Sequence, residues 1–381
     1  MSKVLVNPEI IIWARKRNGF TVDALAKRMN LEPREITMWE TGDKIPSYIV
    51  LEKLAYKYFK IPLALFFFTK PPDIEDPRNN FRRLPDYELK KFSYDTLQKL
   101  RLGQAYQESL AALVPKGVFK YKIFHELELK GLSAVQLAKK ARDYLGVSVQ
   151  RQFAFKGVEE AFKYWRYAIE QVGIFTFKDA FKDKFISGFC LLHAEWPIIF
   201  INNSNAFSRQ IFTLVHELGH ILFGVHGVSD VDETYFRYLN SHDKMLEIRC
   251  NEFAAEMLVP ADTFLGDIVL FEKEGFGIIP ELAKKYSVSR EVILRRLLEQ
   301  RAISAEDYEA LSAKWNKDYL RTSGGRKGGN YYLTRLAYLG EGFTRLAFDN
   351  HAAGRLSPVD LANHLNVKAR SLKKLSAFIR A

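Results

Sequence analysis

The residues most capable of chemistry are His216, Glu217 and His220, in the run Phe212-Thr213-Leu214-Val215-His216-Glu217-Leu218-Gly219-His220. The two histidines are four apart, so on a helix they share one face and both imidazoles can reach one zinc ion (Zn2+). Glu217 sits beside them, where its carboxylate can take a proton from a metal-bound water. Catalytic zinc uses three protein ligands plus water, so a third ligand must come from elsewhere. Glu247 is the best candidate, an acidic residue on a downstream helix, and Asn251 one turn later could fix a histidine or the ligand carboxylate. Asp243, His242, His226 and Cys250 are alternatives. In such a site the metal lowers the pKa of water toward about 7 and polarises a scissile carbonyl, while Glu217 acts as general base. An oxyanion donor is also needed. Tyr235, His226 and His242, which lie between the second and third ligands, are the candidates.

Elements must hold these groups in place. The apolar residues around His216 recur at helical period from about Ala206. Three short β-prone runs precede them, at 173–177, 186–192 and 197–202, and predict a small, largely antiparallel sheet. An edge strand of such a sheet could pair with an extended peptide. The next informative helix spans 241–258 and is ended by Pro260. Amphipathic helices are predicted at 93–113, 133–145 and 158–171, with further helical stretches at 261–272 and 280–300.

Residues 8–69 read as a compact helical unit. Thr21 is a good N-cap, Pro33 suits a first helical turn, and Ser47 follows Pro46 at the start of a fourth helix. Two short helices joined by a tight turn inside such a unit have helix-turn-helix geometry. The residues Thr21, Leu25-Ala26, Ile36, Trp39-Glu40-x-Gly42, Pro46-Ser47, Leu51 and Leu54-Ala55 resemble the Xre/Cro repressor-type helix-turn-helix family. The resemblance implies that 32–41 is the recognition helix. Arg34, Thr37 and Lys44 are then the residues expected to face double-stranded operator DNA, with Arg28 near phosphate. There are departures: Val22 replaces a usual glutamine, and Glu32 and Glu35 place negative charge where phosphate would repel it.

Residues 190–300 resemble the ImmA/IrrE family of zinc metallopeptidases. The matching segments are Pro197-Ile198 with Asn202, Arg209-Gln210-x-Phe212-Thr213-Leu214-x-His216-Glu217-Leu218-Gly219-His220, and Glu247-x-x-Cys250-Asn251-x-Phe253-Ala254-Ala255-x-Met257-Leu258-Val259-Pro260. The resemblance implies a zincin-like fold and identifies Glu247 as the third zinc ligand. Cys250 stands where the family has another small residue. With the helix-turn-helix in front, known relatives cleave a DNA-bound repressor, and others resemble antitoxins beside a toxin partner. The expected function is a DNA-binding regulatory metallopeptidase acting on a regulatory protein. The alternative is a repressor or antitoxin whose peptidase fold binds a partner. A homodimer fits either.

The whole chain bounds these readings. Its 381 residues suggest two or three domains, and 48% hydrophobic residues suffice for packed cores. No apolar run approaches the roughly 18 residues of a membrane span, and MSKVLVNPEI lacks the features of a signal peptide. With two cysteines no disulfide framework is implied, and a cytoplasmic setting without membrane partners is expected. The net charge of +12 suits nucleic acid or an acidic protein partner. The expected class is α+β: an all-α helix-turn-helix domain (1–69), a connector and helical part (70–172), a metallopeptidase core (173–300) and a helical C-terminal region (301–381) with a basic, Gly-rich loop at 321–330. One recurrence crosses these boundaries. Leu25-Ala26 to Ile36, Leu282-Ala283 to Ile293 and Leu361-Ala362 to Leu372 all fit Leu-Ala-x-x-φ-x-φ-x4-φ, where φ is apolar. The second reads as packing alone. The third follows the basic loop and admits a second DNA-facing unit.

Overall fold

The computed structural model describes residues 6–73, 93–114, 123, 131–183, 186–225, 227–230, 241–322 and 329–379, with backbone alone for 227–230, 242 and 316–322. Most of the connector expected at 70–92, and 323–328 of the basic loop, lie outside them. The chain forms two compact units, Met1–Leu102 and Gly103–Ala381. No helix among the described residues is long and apolar enough to cross a membrane.

The first unit is helical: α1 (Pro8–Arg17), α2 (Val22–Met29), α3 (Pro33–Thr41) and α4 (Tyr48–Glu52), the last continuing as a π-helical segment Lys53–Phe59. Thr21 caps α2 by accepting the Ala24 N–H, and Ser47 caps α4 through Val50 N–H. Leu25, Ile36, Trp39, Leu54 and Phe59 fill the core. Arg15 makes a two-pronged ion pair with Glu40, its Nη2 donating to Oε2 at 2.8 Å, and its Nη1 donates to Phe20 O. The Trp39-Glu40 pair of the sequence motif is thus structural: one side chain is core, the other ties α3 to α1. The helix α5 (Tyr94–Leu113) begins in this unit, where Gln98 and Arg101 both donate to Asn18 Oδ1.

In the second unit α6 (Ala134–Tyr144), α7 (Val149–Phe153) and α8 (Val158–Gln171) precede the strands β1 (Phe175–Asp179), β2 (Ile186–Leu191) and β3 (Ile198–Asn202). Then come α9 (Phe207–Leu222), β4 (Gly227–Asp230) and α10 (Ser241–Leu258). The sheet order is β1-β3-β2-β4. β2 runs antiparallel to both β3 and β4, whereas β1 lies parallel to β3. The sheet is therefore mostly antiparallel, with one parallel pair at its β1 edge. Alternation sends Phe177, Phe189 and Phe200 to one face, where Tyr106 stacks on Phe177 at 4.2 Å between centroids. Cys190, Ile199 and Ile201 point to the other face and join the core with Leu214, Val215 and Leu218 of α9.

Helices α11 (Ala261–Glu274), α12 (Ile279–Tyr286), α13 (Arg290–Glu299), α14 (Ala305–Thr322), α15 (Tyr331–Leu339), α16 (Glu341–Ala352), α17 (Pro358–His364) and α18 (Leu372–Ile379) complete the chain. The stretch expected as helical over 280–300 is two helices, because Ser287 turns left-handed (φ 57°) between them. Buried polar links hold these helices to the core. Gln152 donates to Leu258 O and Tyr286 O, and Arg296 donates to Glu256 and to Val259 O.

Candidate metal centre

The face of α9 toward α10 is where chemistry concentrates. The helical repeat puts His216 and His220 one turn apart, and their Nε2 atoms approach to 3.0 Å. Glu247 of α10 faces both: Oε2 lies 3.3 Å from His216 Nε2 and Oε1 lies 3.3 Å from His220 Nε2. All three residues are buried, and they are the group of His, Cys, Asp and Glu side chains among the described residues whose atoms could hold one metal ion.

Close approach of the two helices makes this convergence possible. A Cβ placed on Gly219 would lie 3.1 Å from Phe253 Cδ1 and 3.6 Å from Cys250 Cα, so α10 rests directly on the glycine. The other side of α9 is similarly tight. At Gly188 of β2 a Cβ would meet Thr213 Cγ2 at 2.7 Å and Phe200 O at 2.8 Å. Glycine at both points lets α9 sit between sheet and α10 with its histidines aimed at Glu247.

Asn251, one turn after Glu247, places Oδ1 2.9 Å from His216 Nδ1. That contact assigns the proton to Nδ1, which donates to Asn251, and leaves Nε2 as the ring atom facing Glu247 that is available to a metal ion. Burial alone would raise the Glu247 pKa, but His220 and His216 beside it hold the carboxyl far below the usual range, so it is an anion. Burial raises the Cys250 thiol, which keeps it protonated next to this cluster. Glu217 is fully buried on α9.

The donor set passes a geometric test for a cation. Nitrogen and oxygen ligands about 2.1 Å from a tetrahedral ion stand about 3.4 Å apart. The three separations here, 3.0, 3.3 and 3.3 Å, are close to that edge length. Glu247 Oε2 is buried without a hydrogen bond, as expected of an atom whose partner is an ion.

Residues 169–298 match the peptidase family of the IrrE N-terminal-like domain, and residues 11–66 match the helix-turn-helix family. The chain carries an IrrE N-terminal-like domain behind a helix-turn-helix. Among curated proteins, the Radiation response metalloprotease IrrE of Deinococcus radiodurans is 35% identical over 108 residues. The match covers 28% of this chain and 32% of that relative, so it spans about a third of the relative's length. The IrrE-like region begins at the end of α8 and runs through α13, taking in the sheet and both helices of the cluster.

The other sequence candidates fall in different places. Asp243 is buried on the first turn of α10 and Cys250 on its inner face, and neither belongs to the converging group. Tyr235 and His226 lie outside the described residues, as does the side chain of His242. In the helix-turn-helix, Arg34 and Thr37 are exposed one turn apart on α3. Lys44 is exposed but pairs with Glu35 at 2.7 Å, and Arg28 lies over the rings of Phe20 and Tyr94. The packing glycines were not singled out from sequence. The available signal was Gly219 itself, since glycine inside a helix costs about 1 kcal/mol unless something requires it. A cavity of about 360 Å³, lined by Leu192, Pro197, Ile221 and Leu222 among others, lies at the end of α9 and includes none of the converging residues.

Proposed function

We propose that the chain is a zinc-dependent metallopeptidase that cleaves a regulatory protein and is brought to DNA by its N-terminal helix-turn-helix. The convergence of His216, His220 and Glu247 carries this reading. Two imidazoles and a carboxylate with buried surroundings are a donor set that catalytic zinc uses. When bound, zinc supplies Lewis acidity, which acidifies water toward a pKa of about 7 and polarises a peptide carbonyl. Glu217, next to His216 on α9, accepts the proton of the attacking water and returns it to the departing amine. Asn251 keeps His216 in the tautomer whose Nε2 is free to ligate.

A role in regulation, rather than bulk digestion, is supported by the helix-turn-helix in the same chain and by the relative's name as a radiation response metalloprotease. Arg34 and Thr37, exposed on α3, are the residues proposed to face the operator. The test compares wild type with Glu217→Gln. Metal analysis of both purified proteins should give equal zinc, while proteomics of expressing cells should show a cleaved regulator in the wild type alone. The same fragments in cells carrying Glu217→Gln would sink the reading.

A further inference from the structure

The three Leu-Ala segments recur in backbone as well as in sequence. Asn30, Ser287 and Asn366, each five residues after the leucine, all take the left-handed conformation, with φ of 58°, 57° and 49°. The next residue then closes on the alanine carbonyl in each: Leu31 N on Ala26 O at 2.9 Å, Val288 N on Ala283 O at 3.0 Å, Val367 N on Ala362 O at 2.9 Å. The leading Leu25, Leu282 and Leu361 are buried, and so are the closing Ile36, Ile293 and Leu372. The first and third copies agree further. Thr21 and Ser357 cap their first helices by the same contact, to Ala24 N and to Asp360 N. The core position of Trp39 is taken by Leu375, buried likewise.

What the second helix shows to solvent separates the copies. In the second copy, Leu294 is buried and Glu291 accepts from Tyr308 and Ser312 of α14, so its outward face is closed. In the third copy that face is cationic, with Lys374 lying over the Tyr332 ring of α15 at 5.9 Å from its centroid. Lys368, Arg370, Lys373 and Lys374 are all exposed, and Arg370, Lys373 and Lys374 follow the spacing of one helix face with Ala377. No acidic residue occurs from Leu361 to Ile379, and none of the four cations makes an ion pair with a described residue. The matching positions of the first copy are Glu32, Arg34, Thr37 and Met38, which carry no net charge. The turn is also braced: Arg335 Nη2 donates to Leu365 O at 2.9 Å and to Asn366 O at 3.1 Å.

We propose that residues 357–379 form a second helix-turn-helix that binds double-stranded DNA through Lys368, Arg370, Lys373 and Lys374. A braced turn followed by a helix whose only charged residues are Lys373 and Lys374, with Lys368 and Arg370 just before it, fits a groove walled by phosphates, and its contacts are mainly with the backbone rather than with base edges. It adds affinity that is independent of sequence and steep in salt. It does not rest on the peptidase reading.

The experiment uses the full chain carrying Arg34→Glu, so that the first helix-turn-helix is weakened, and a fluorescent duplex of arbitrary sequence titrated at several salt concentrations. Adding Arg370→Glu and Lys373→Glu should weaken binding by roughly tenfold or more and make the slope of log affinity against log salt shallower by about 2. The milder Arg370→Gln, Lys373→Gln pair should lie between, and Arg370→Lys, Lys373→Arg should restore the parent's behaviour. Circular dichroism and thermal unfolding, which exposed substitutions should leave unchanged, identify a variant that has lost its fold, and the glutamine pair then decides. Unchanged affinity and slope in the folded charge variants would overturn the proposal. So would preference for single-stranded RNA over the duplex.

Discussion

Asn251 Oδ1 stands 2.9 Å from His216 Nδ1, and the two residues come from different helices. The contact does for His216 what packing alone cannot: it selects one of two neutral tautomers. Asn251→Ala is therefore expected to lower zinc affinity by about 10–100-fold, the usual cost of losing such an outer partner. Asn251→Asp, which still accepts from Nδ1–H, should retain most of it. Competition against a chromophoric chelator measures both.

Metal removal should weaken the whole second unit. Apart from the ion, the cluster is three polar side chains inside a packed core, and Glu247 Oε2 has no hydrogen bond there. A ligand that binds the folded state alone adds about 2.7 kcal/mol at a hundredfold excess over its Kd. For a unit of this size, Gly103–Ala381, that is about 4–5 °C in Tm. Calorimetry with and without chelator should show that shift in the transition of the second unit, and zinc should restore it.

Much of this arrangement was legible in the sequence, for reasons that differ by residue. His216 and His220 belong to one helix, so their meeting follows from the repeat of that helix alone. Glu247 was the best candidate as an acidic residue on a downstream helix, but only resemblance set it above Asp243, His242, His226 and Cys250, because its distance from His220 is set by how closely α10 packs on Gly219, a tertiary fact. The strands β1 and β3 were marked by runs of β-branched and aromatic residues, and β2 by a looser apolar run through Ile186, Phe189 and Leu191. β4, Gly227–Asp230, has little such signal and gains its strand form by pairing with β2. The break in 280–300 was signalled only by the recurrence of Leu282-Ala283 to Ile293, because the residue that turns left-handed is Ser287, not the glycine or asparagine that usually marks one. Strand order was not encoded locally at all: the parallel pairing of β1 with β3 depends on what covers the sheet.

The two packing glycines should respond differently to alanine. At Gly219 the new methyl meets a phenylalanine ring edge at 3.1 Å, which can give way, and the better helix propensity of alanine returns about 1 kcal/mol. Net destabilisation near 0–2 kcal/mol is expected, with weaker zinc binding as α10 moves outward. At Gly188 the methyl meets the Phe200 carbonyl oxygen at 2.8 Å, an atom fixed in the sheet. Gly188→Ala should therefore cost more, about 3 kcal/mol or above. Denaturant titration of the two variants gives the ranking, and the reverse order would refute the packing account.

The Arg15–Glu40 pair gives the first unit a separate test. Both side chains are about 10% exposed, and Arg15 also donates to Phe20 O. Removing one partner strands the other charge in a place water barely reaches, which costs about 3–5 kcal/mol for well-buried pairs. Arg15→Met or Glu40→Leu alone should approach the lower end of that range, since a tenth of each side chain still meets solvent. The double variant leaves no stranded charge and fills the same volume, so it should recover a large part of the loss. Unfolding of the four proteins of this cycle separates the coupling from the packing. Additive single losses would mean that the motif's Glu40 contributes no ion-pair energy and is held in place by Trp39 and the helix alone.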